Sequence, residues 1–223
     1  MIMRYSRQEK FLEKNTTKKI DFTSKIIIVG CGGVGSVLCE LLVRGGFLNL
    51  VLIDNDLIDE TNLARQNFEE NDVGKPKSKT LSVRLKKIDS KFKGEVILNI
   101  LTQKNIEKFC LDCDLIVDCT DNFETRRLIN TYCEENNKNW IYTGAVKSQI
   151  ICCTFYGSDK LFNKVFSNEI VNESCCDVGV LASTTFTSAS VAYNQTLKYF
   201  LGVKDNKLIK IDLWKNKFHE VKF

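Results

Sequence analysis

The residues of this chain that could do chemistry fall into one ordered set. Gly30, Gly32, Gly33 and Gly35, in GCGGVG, follow a β-branched run and precede an amphipathic stretch. They read as a loop whose backbone approaches a phosphate at a helix N-terminus, although glycines at such a turn can also serve packing alone. Asp54 ends the next apolar run, about where a βαβ unit places the acid that takes ribose hydroxyls. Lys77 opens another amphipathic stretch. A cation in a helix's first turn opposes the dipole, so it calls for an anion beside it, unless the lysine simply faces solvent. Asp121 closes a further apolar strand and is either a Mg²⁺ ligand or the N-cap of the helix Phe123 to Glu135. Cys175 and Cys176 sit just ahead of a helix, where the dipole lowers a thiol's pKa; otherwise they are small residues paired in a loop. Arg4 and Arg7, in RYSRQ, either pair with surface acids or reach a phosphate bidentately.

That inventory fits nucleotidyl transfer to a carboxylate. A carboxylate is already ionised at neutral pH and needs no base, so the obstacle is phosphate charge, which Mg²⁺, Lys and Arg can offset. The sole histidine, His219, lies in a terminal hairpin, and no Ser–His–Asp, Cys–His or two-His metal set can be assembled.

The elements that must position these groups follow from periodicity. Lys25 to Val29 and Leu48 to Ile53 read as buried strands, joined by a helix over Ser36 to Arg44 that Gly45 and Gly46 stop. Between Asp54 and Lys77 the polar Asp56, Asp59, Asn62, Arg65 and Gln66 are interleaved with apolar Leu57, Ile58 and Leu63, so this segment folds against the nucleotide. A helix over Ser78 to Ile88 follows, with Leu81, Val83, Leu85 and Ile88 as its apolar positions. Glu95 to Leu101 and Leu115 to Cys119 read as strands and Ile106 to Phe109 as a short helix. Trp140 to Tyr142 and Gln149 to Tyr156 form an antiparallel pair, and Leu208 to Leu213 with Phe218 to Phe223 close the chain as a hairpin. The expected architecture is α/β: a Rossmann-like, doubly wound, mostly parallel sheet with antiparallel C-terminal strands. Asp54 and Asp121 then face one crevice from different strands. Regularity lapses over Gly157 to Asp177, before a helix expected from Val178 to Leu201.

Composition narrows the class. With 223 residues, one proline and 43% hydrophobic residues, the chain reads as one domain over 1–223, and a net charge of +4 is too small and mixed to imply nucleic acid. No apolar run reaches membrane-span length and the N-terminus lacks a signal-peptide core, so a cytosolic protein is expected. The ten cysteines include Cys31, Cys39, Cys119, Cys152 and Cys153 inside apolar segments, which reads as buried thiols.

RYSRQ, GCGGVG, Asp54, NLARQ (Asn62 to Gln66), GKPK, DCTDNFETR (Asp118 to Arg126) and CCDVGV (Cys175 to Val180) occur in an order that resembles the ThiF/MoeB/HesA group of ubiquitin-activating-type adenylyltransferases. The resemblance implies adenylation, with MgATP, of the C-terminal glycine carboxylate of a small ubiquitin-like or sulfur-carrier protein ending in Gly-Gly. It implies that Gly30, Gly32, Gly33 and Gly35 line the phosphates, that Asp54 binds ribose, and that Asn62, Arg65 and Gln66 hold triphosphate and adenylate. Lys77 would sit on the phosphates, Asp121 would hold Mg²⁺, and Arg7 would reach into a neighbouring subunit's site in a homodimer. Cys175 would carry a thioester or sulfur-accepting step. Such enzymes usually bind a structural zinc through two CxxC pairs; here Asp159 to Phe166 and the final hairpin hold no cysteine, and Cys110 to Cys113 is a lone CxxC, so no zinc is expected. An NAD-dependent oxidoreductase would share the βαβ unit but has no use for NLARQ, GKPK and TDN together. A non-catalytic adaptor half of a heterodimer would have no need to keep Arg7, Arg65, Lys77 and Asp121.

Overall fold

Three short apolar runs build the centre of the molecule. β1 (Ile26–Val29), β2 (Leu50–Ile53) and β4 (Leu115–Asp118) are buried at every position, as expected of strands covered on both faces. The computed structural model describes residues 3–166 and 178–222. With β3 (Glu95–Ile97), β5 (Asn139–Val146), β6 (Gln149–Tyr156), β7 (Lys207–Asp212) and β8 (Lys217–Lys222) these strands form one sheet in the order β3-β2-β1-β4-β5-β6-β7-β8. The pairs from β3 through β5 are parallel and those from β5 through β8 antiparallel.

Alternation of side chains divides the core in two. Ile26 and Ile28 point to the face covered by α2 (Gly33–Gly45), α3 (Lys77–Ile88) and α7 (Ala182–Phe200), among Leu38, Leu42, Leu81 and Ala189. Ile27 and Val29 point the other way, toward α4 (Ile106–Cys110), α5 (Phe123–Glu135) and α6 (Phe162–Val165), among Ile106, Ile129, Trp140 and Phe162. Each fully buried side chain of this size contributes roughly 1.5–3 kcal/mol. No helix among the described residues is long and apolar enough to cross a membrane.

Several boundaries differ from the sequence expectation. Val83 is 57% exposed, so the buried stripe of α3 is Leu81 and Leu85. β3 stops at Ile97, and Leu98 and Ile100 are exposed. β5 runs on to Val146, and the hairpin to β6 turns at Lys147 and Ser148, with Lys147 in the left-handed region (φ 56°). α7 begins at Ala182, not Val178, because Gly179 has φ 77° and the stretch before the helix bonds to that hairpin turn instead: Lys147 N–H donates to Gly179 O and Leu181 N–H donates to Lys147 O. The supposedly irregular segment is ordered where it is described. Gly157–Asp159 is a single 3₁₀ turn, and Phe162 and Phe166 are buried, with ring centroids 5.4 Å (Phe162–Trp140) and 5.0 Å (Phe166–Tyr142) from their neighbours.

Candidate functional site

The order β2-β1-β4 makes a switch point, because the chain leaves β1 toward β2 on one side and reaches β4 on the other. A crevice opens at the C-terminal ends of such strands. Here it is a cavity of about 710 Å³ lined by Gly30, Gly32, Gly33, Asp54, Lys77 and Asp121, among others. Expectation and structure agree on convergence: the groups come from four separate segments and meet in one place.

The glycine loop is built for close approach. Gly30 has φ 90°, a conformation strained for any residue with a Cβ. Gly35 has a different job from the one its motif position suggests. It is buried in the first turns of α2 and does not line the cavity; a Cβ there would stand 1.9 Å from Gly30 O, so its absence lets the loop fold back on the helix. α2 starts at Gly33, earlier than the apolar pattern showed, and aims its N-terminus at the cavity. Gln66 is buried beside Gly32, and its Oε1 has no hydrogen-bond partner among the described residues. Nε2 is the side-chain atom nearest Gly32, and a buried amide oxygen without a partner on a residue that lines the cavity suits a bound polar ligand.

On the β2 side, charged groups are engaged with one another. Asp54 Oδ2 accepts the Cys31 N–H at 2.6 Å and Oδ1 accepts the Asp56 N–H at 2.8 Å. Burial pushes the Asp54 carboxyl above the ordinary carboxylate range, with these N–H groups and Lys77 pulling it back. Lys77 is the first residue of α3, and its buried ammonium donates to Asp56 Oδ2 at 2.8 Å. Asp56 is thus the anion that a lysine at a helix start calls for. Arg65 donates from Nη1 to Thr61 O at 2.9 Å, while its own carbonyl accepts the Thr185 hydroxyl. Asn62 Oδ1 accepts the Asp59 N–H, completing a reciprocal cap of the 3₁₀ turn Glu60–Asn62.

On the β4 side, Asp121 is exposed and stands where the strand has ended. It is not the N-cap of α5: Asn122 takes that place, accepting the N–H groups of Glu124 at 2.8 Å and Thr125 at 3.1 Å. The capping reading was wrong by one residue, which leaves the Asp121 carboxylate on the cavity wall.

Sequence reasoning missed the floor beneath it. Arg126 is buried and donates from Nε to Asp118 Oδ2 (3.1 Å), from Nη1 to Tyr142 Oη (2.9 Å), and from Nη2 to the carbonyls of Thr120 (2.5 Å) and Thr143 (3.2 Å). Burial pushes the Asp118 carboxyl up, and Arg126 and Thr120 oppose it. The available signal was a charged residue ending an otherwise apolar run, with an arginine eight positions on.

Arg7 is exposed on α1 (Ser6–Asn15) and stands outside the cavity lining. Arg4 is held by Asp89, so of the two N-terminal arginines it is the one with the structural role. Cys175 and Cys176 lie outside the described residues. Of the described cysteines, Cys119 lines the cavity, and burial pushes its thiol far above the ordinary range, so it is no thiolate. Cys110 and Cys113 are buried, with thiols pushed up to about 12 and about 11 by burial. No group of three or more His, Cys, Asp or Glu side chains among the described residues could hold a metal ion. His219 is exposed on β8.

The sequence pattern of the ThiF family matches residues 5–223. This chain belongs to the ThiF family. Among its relatives is the sulfur carrier protein ThiS adenylyltransferase of Bacillus subtilis (strain 168), 30% identical over 230 residues, covering 100% of this chain and 68% of the relative. The ubiquitin-like modifier-activating enzyme 5 of Bombyx mori is 33% identical over 136 residues, covering 56% of this chain and 35% of the relative. This ThiF-family chain therefore spans about two thirds of the first relative and about a third of the second. In fold it is similar to the crystal structure of E. coli MccB with MccA-N7isoASN, with TM-score 0.81 at 23% identity over 99% of this chain and 71% of that one.

Proposed function

We propose that this ThiF-family chain, as a single adenylation domain in the cytosol, is an ATP-dependent adenylyltransferase for the C-terminal glycine carboxylate of a small ubiquitin-like or sulfur-carrier protein. The observation that carries the reading is convergence: a glycine loop at a helix N-terminus, the buried ammonium of Lys77 and the carboxylate of Asp121 share one cavity. The names of its relatives favour the same reading.

The residues present fit ATP. Gly30, Gly32 and Gly33 leave a backbone cradle, and Gln66 brings its amide Nε2, a donor, nearest to Gly32. Asp54 is the ribose acid once it exchanges the Cys31 N–H for hydroxyl donors. Asn62, Arg65 and Gln66 border the triphosphate, and Lys77 neutralises it by giving up Asp56. Asp121 fits Mg²⁺, which is content with one or two carboxylates and otherwise takes water and phosphate oxygens. The metal supplies charge neutralisation on the phosphates. A carrier carboxylate oxygen attacks the α-phosphorus, the bond to the β-phosphate oxygen breaks, and pyrophosphate leaves with the electron pair. No base is required. Arg7 completes the site across a homodimer, and a later thiol step falls to Cys175.

The test is intact-mass detection of a carrier adenylate after incubation with MgATP and candidate Gly-Gly-ending proteins. An adenylate on at least one carrier is expected; none on any, together with substrate reduction by NADH, would overturn the reading in favour of an oxidoreductase.

A further inference from the structure

We infer that Arg126 is a positioning residue for Asp121, fixing where the proposed metal-binding carboxylate stands relative to the β5 wall of the cavity. The inference rests on the adenylation reading. Its basis is the way one guanidinium ties the end of β4 to β5 beneath the crevice. Thr120, the residue preceding Asp121, is held through both of its backbone polar groups: its carbonyl accepts from Arg126 Nη2 (2.5 Å), and its N–H donates to Asp118 Oδ1 (3.1 Å). The Thr120 hydroxyl adds a third tie, donating to the same Asp118 oxygen at 2.7 Å. Asp118 is wholly buried and is held in turn by Arg126 Nε at 3.1 Å. On the other side, Nη2 reaches Thr143 O (3.2 Å) and Nη1 reaches Tyr142 Oη (2.9 Å), and the guanidinium lies 4.5 Å above the Tyr142 ring. Thr143 Oγ1 donates to Asp118 O at 2.8 Å.

The consequence is geometric. Asp121 stands between two engaged residues, Thr120 in the clamp and Asn122 capping α5, which limits how far its backbone can shift the carboxylate along the wall. The planar fork also matters. Lysine's three donors radiate from a single nitrogen, whereas arginine reaches Asp118, Thr120 and Thr143 from separate nitrogens of one rigid plane. Arg126 lines the cavity, and Asp121 is among the charges acting on it, so the clamp and the carboxylate share one electrostatic environment. Groups that orient a metal ligand typically change metal affinity by about 10–100-fold when removed.

The experiment titrates Mn²⁺ onto protein saturated with a non-hydrolysable ATP analogue, reading free Mn²⁺ by electron paramagnetic resonance, with ATP–pyrophosphate exchange and thermal melting alongside. For R126K, Mn²⁺ affinity should fall about 10–100-fold. Metal-free affinity for the analogue and KM for the carrier should hold, so that the loss appears in kcat. T120V keeps the side-chain volume and removes one tie to Asp118; it should lower Mn²⁺ affinity in the same direction by a few-fold, and it carries the test if R126K does not fold. Variants that melt lower yet retain wild-type Mn²⁺ affinity would make Arg126 a scaffold only, overturning the inference. A wild-type protein that neither binds the analogue nor exchanges would overturn the adenylation reading, and this inference with it.

Discussion

Two cation–carboxylate pairs flank the same cavity and are built in opposite ways. Lys77 and Asp56 meet through one 2.8 Å contact, and Asp56 is 60% exposed. Arg126 and Asp118 are both buried, and the arginine makes four hydrogen bonds to four residues. A pair with one member in water is worth roughly 0–1 kcal/mol and can be traded for another anion at little loss. Breaking a buried pair strands a charge and costs several times more. The difference separates two duties. A cation that must greet an incoming phosphate is held loosely, and one that must keep a wall in place is locked.

The largest effect that would break this contrast is on stability. Arg126→Ala leaves the wholly buried Asp118 without its counter-charge and should destabilise the protein by about 3–5 kcal/mol, read as a drop in the denaturant midpoint. Lys77→Ala should do the reverse. Its unfolding free energy should change by no more than roughly 1 kcal/mol from the lost pair, while exchange activity falls about 10²-fold or more. Equal stability losses in the two variants would erase the distinction. Next in size is Asp56→Asn, which removes the anion that competes with a bound phosphate for Lys77. Nucleotide affinity should tighten by up to about fivefold, the ceiling set by an exposed pair. Weaker binding would mean that Asp56 positions Lys77 rather than competing for it.

The smallest effect concerns a third pair of intermediate character, Arg4 with Asp89, where Tyr5 Oη also donates to Asp89 at 2.9 Å. Burial would raise the Asp89 carboxyl, but the Lys91 N–H, Tyr5 and Arg4 together hold it below the ordinary range. A carboxylate with a depressed folded-state pKa contributes its stability above the unfolded value, near 3.9, and loses it as pH falls further. The N-terminal segment around α1 should therefore stay protected from hydrogen exchange at pH 7 and loosen below about pH 4 before the sheet does. Protection unchanged at pH 3 would show that α1 is held by other contacts, such as Gln8 with Gly45 and Tyr193.

The same two pairs mark what the sequence disclosed. Lys77 was legible because its meaning is local: a cation at a helix start, a glycine loop and an acid at the end of a strand are patterns within a few residues. The Asp118–Arg126 clamp was not, because three of its partners, Thr120, Tyr142 and Thr143, come together only when β4 and β5 pair. The sequence leaves Asp121 as either a metal ligand or a cap, and the structure removes only the cap, since choosing between it and Asn122 depends on a one-residue boundary. Gly35 was placed in the right loop with the wrong duty, because a motif does not tell a glycine that faces a ligand from one that faces backbone. Phe162 and Phe166 were hidden by brevity; a helix of four residues shows no periodicity.

The central claim is that the glycine loop, Lys77 and Asp121 surround a triphosphate that reacts. ATP–pyrophosphate exchange with a Gly-Gly-ending carrier, run on wild type and Asp121→Ala under normal Mg²⁺, tests it directly. Carrier-dependent exchange that is lost in Asp121→Ala is the predicted result. Exchange surviving that substitution would contradict the metal assignment, and no exchange with any carrier would contradict the account as a whole.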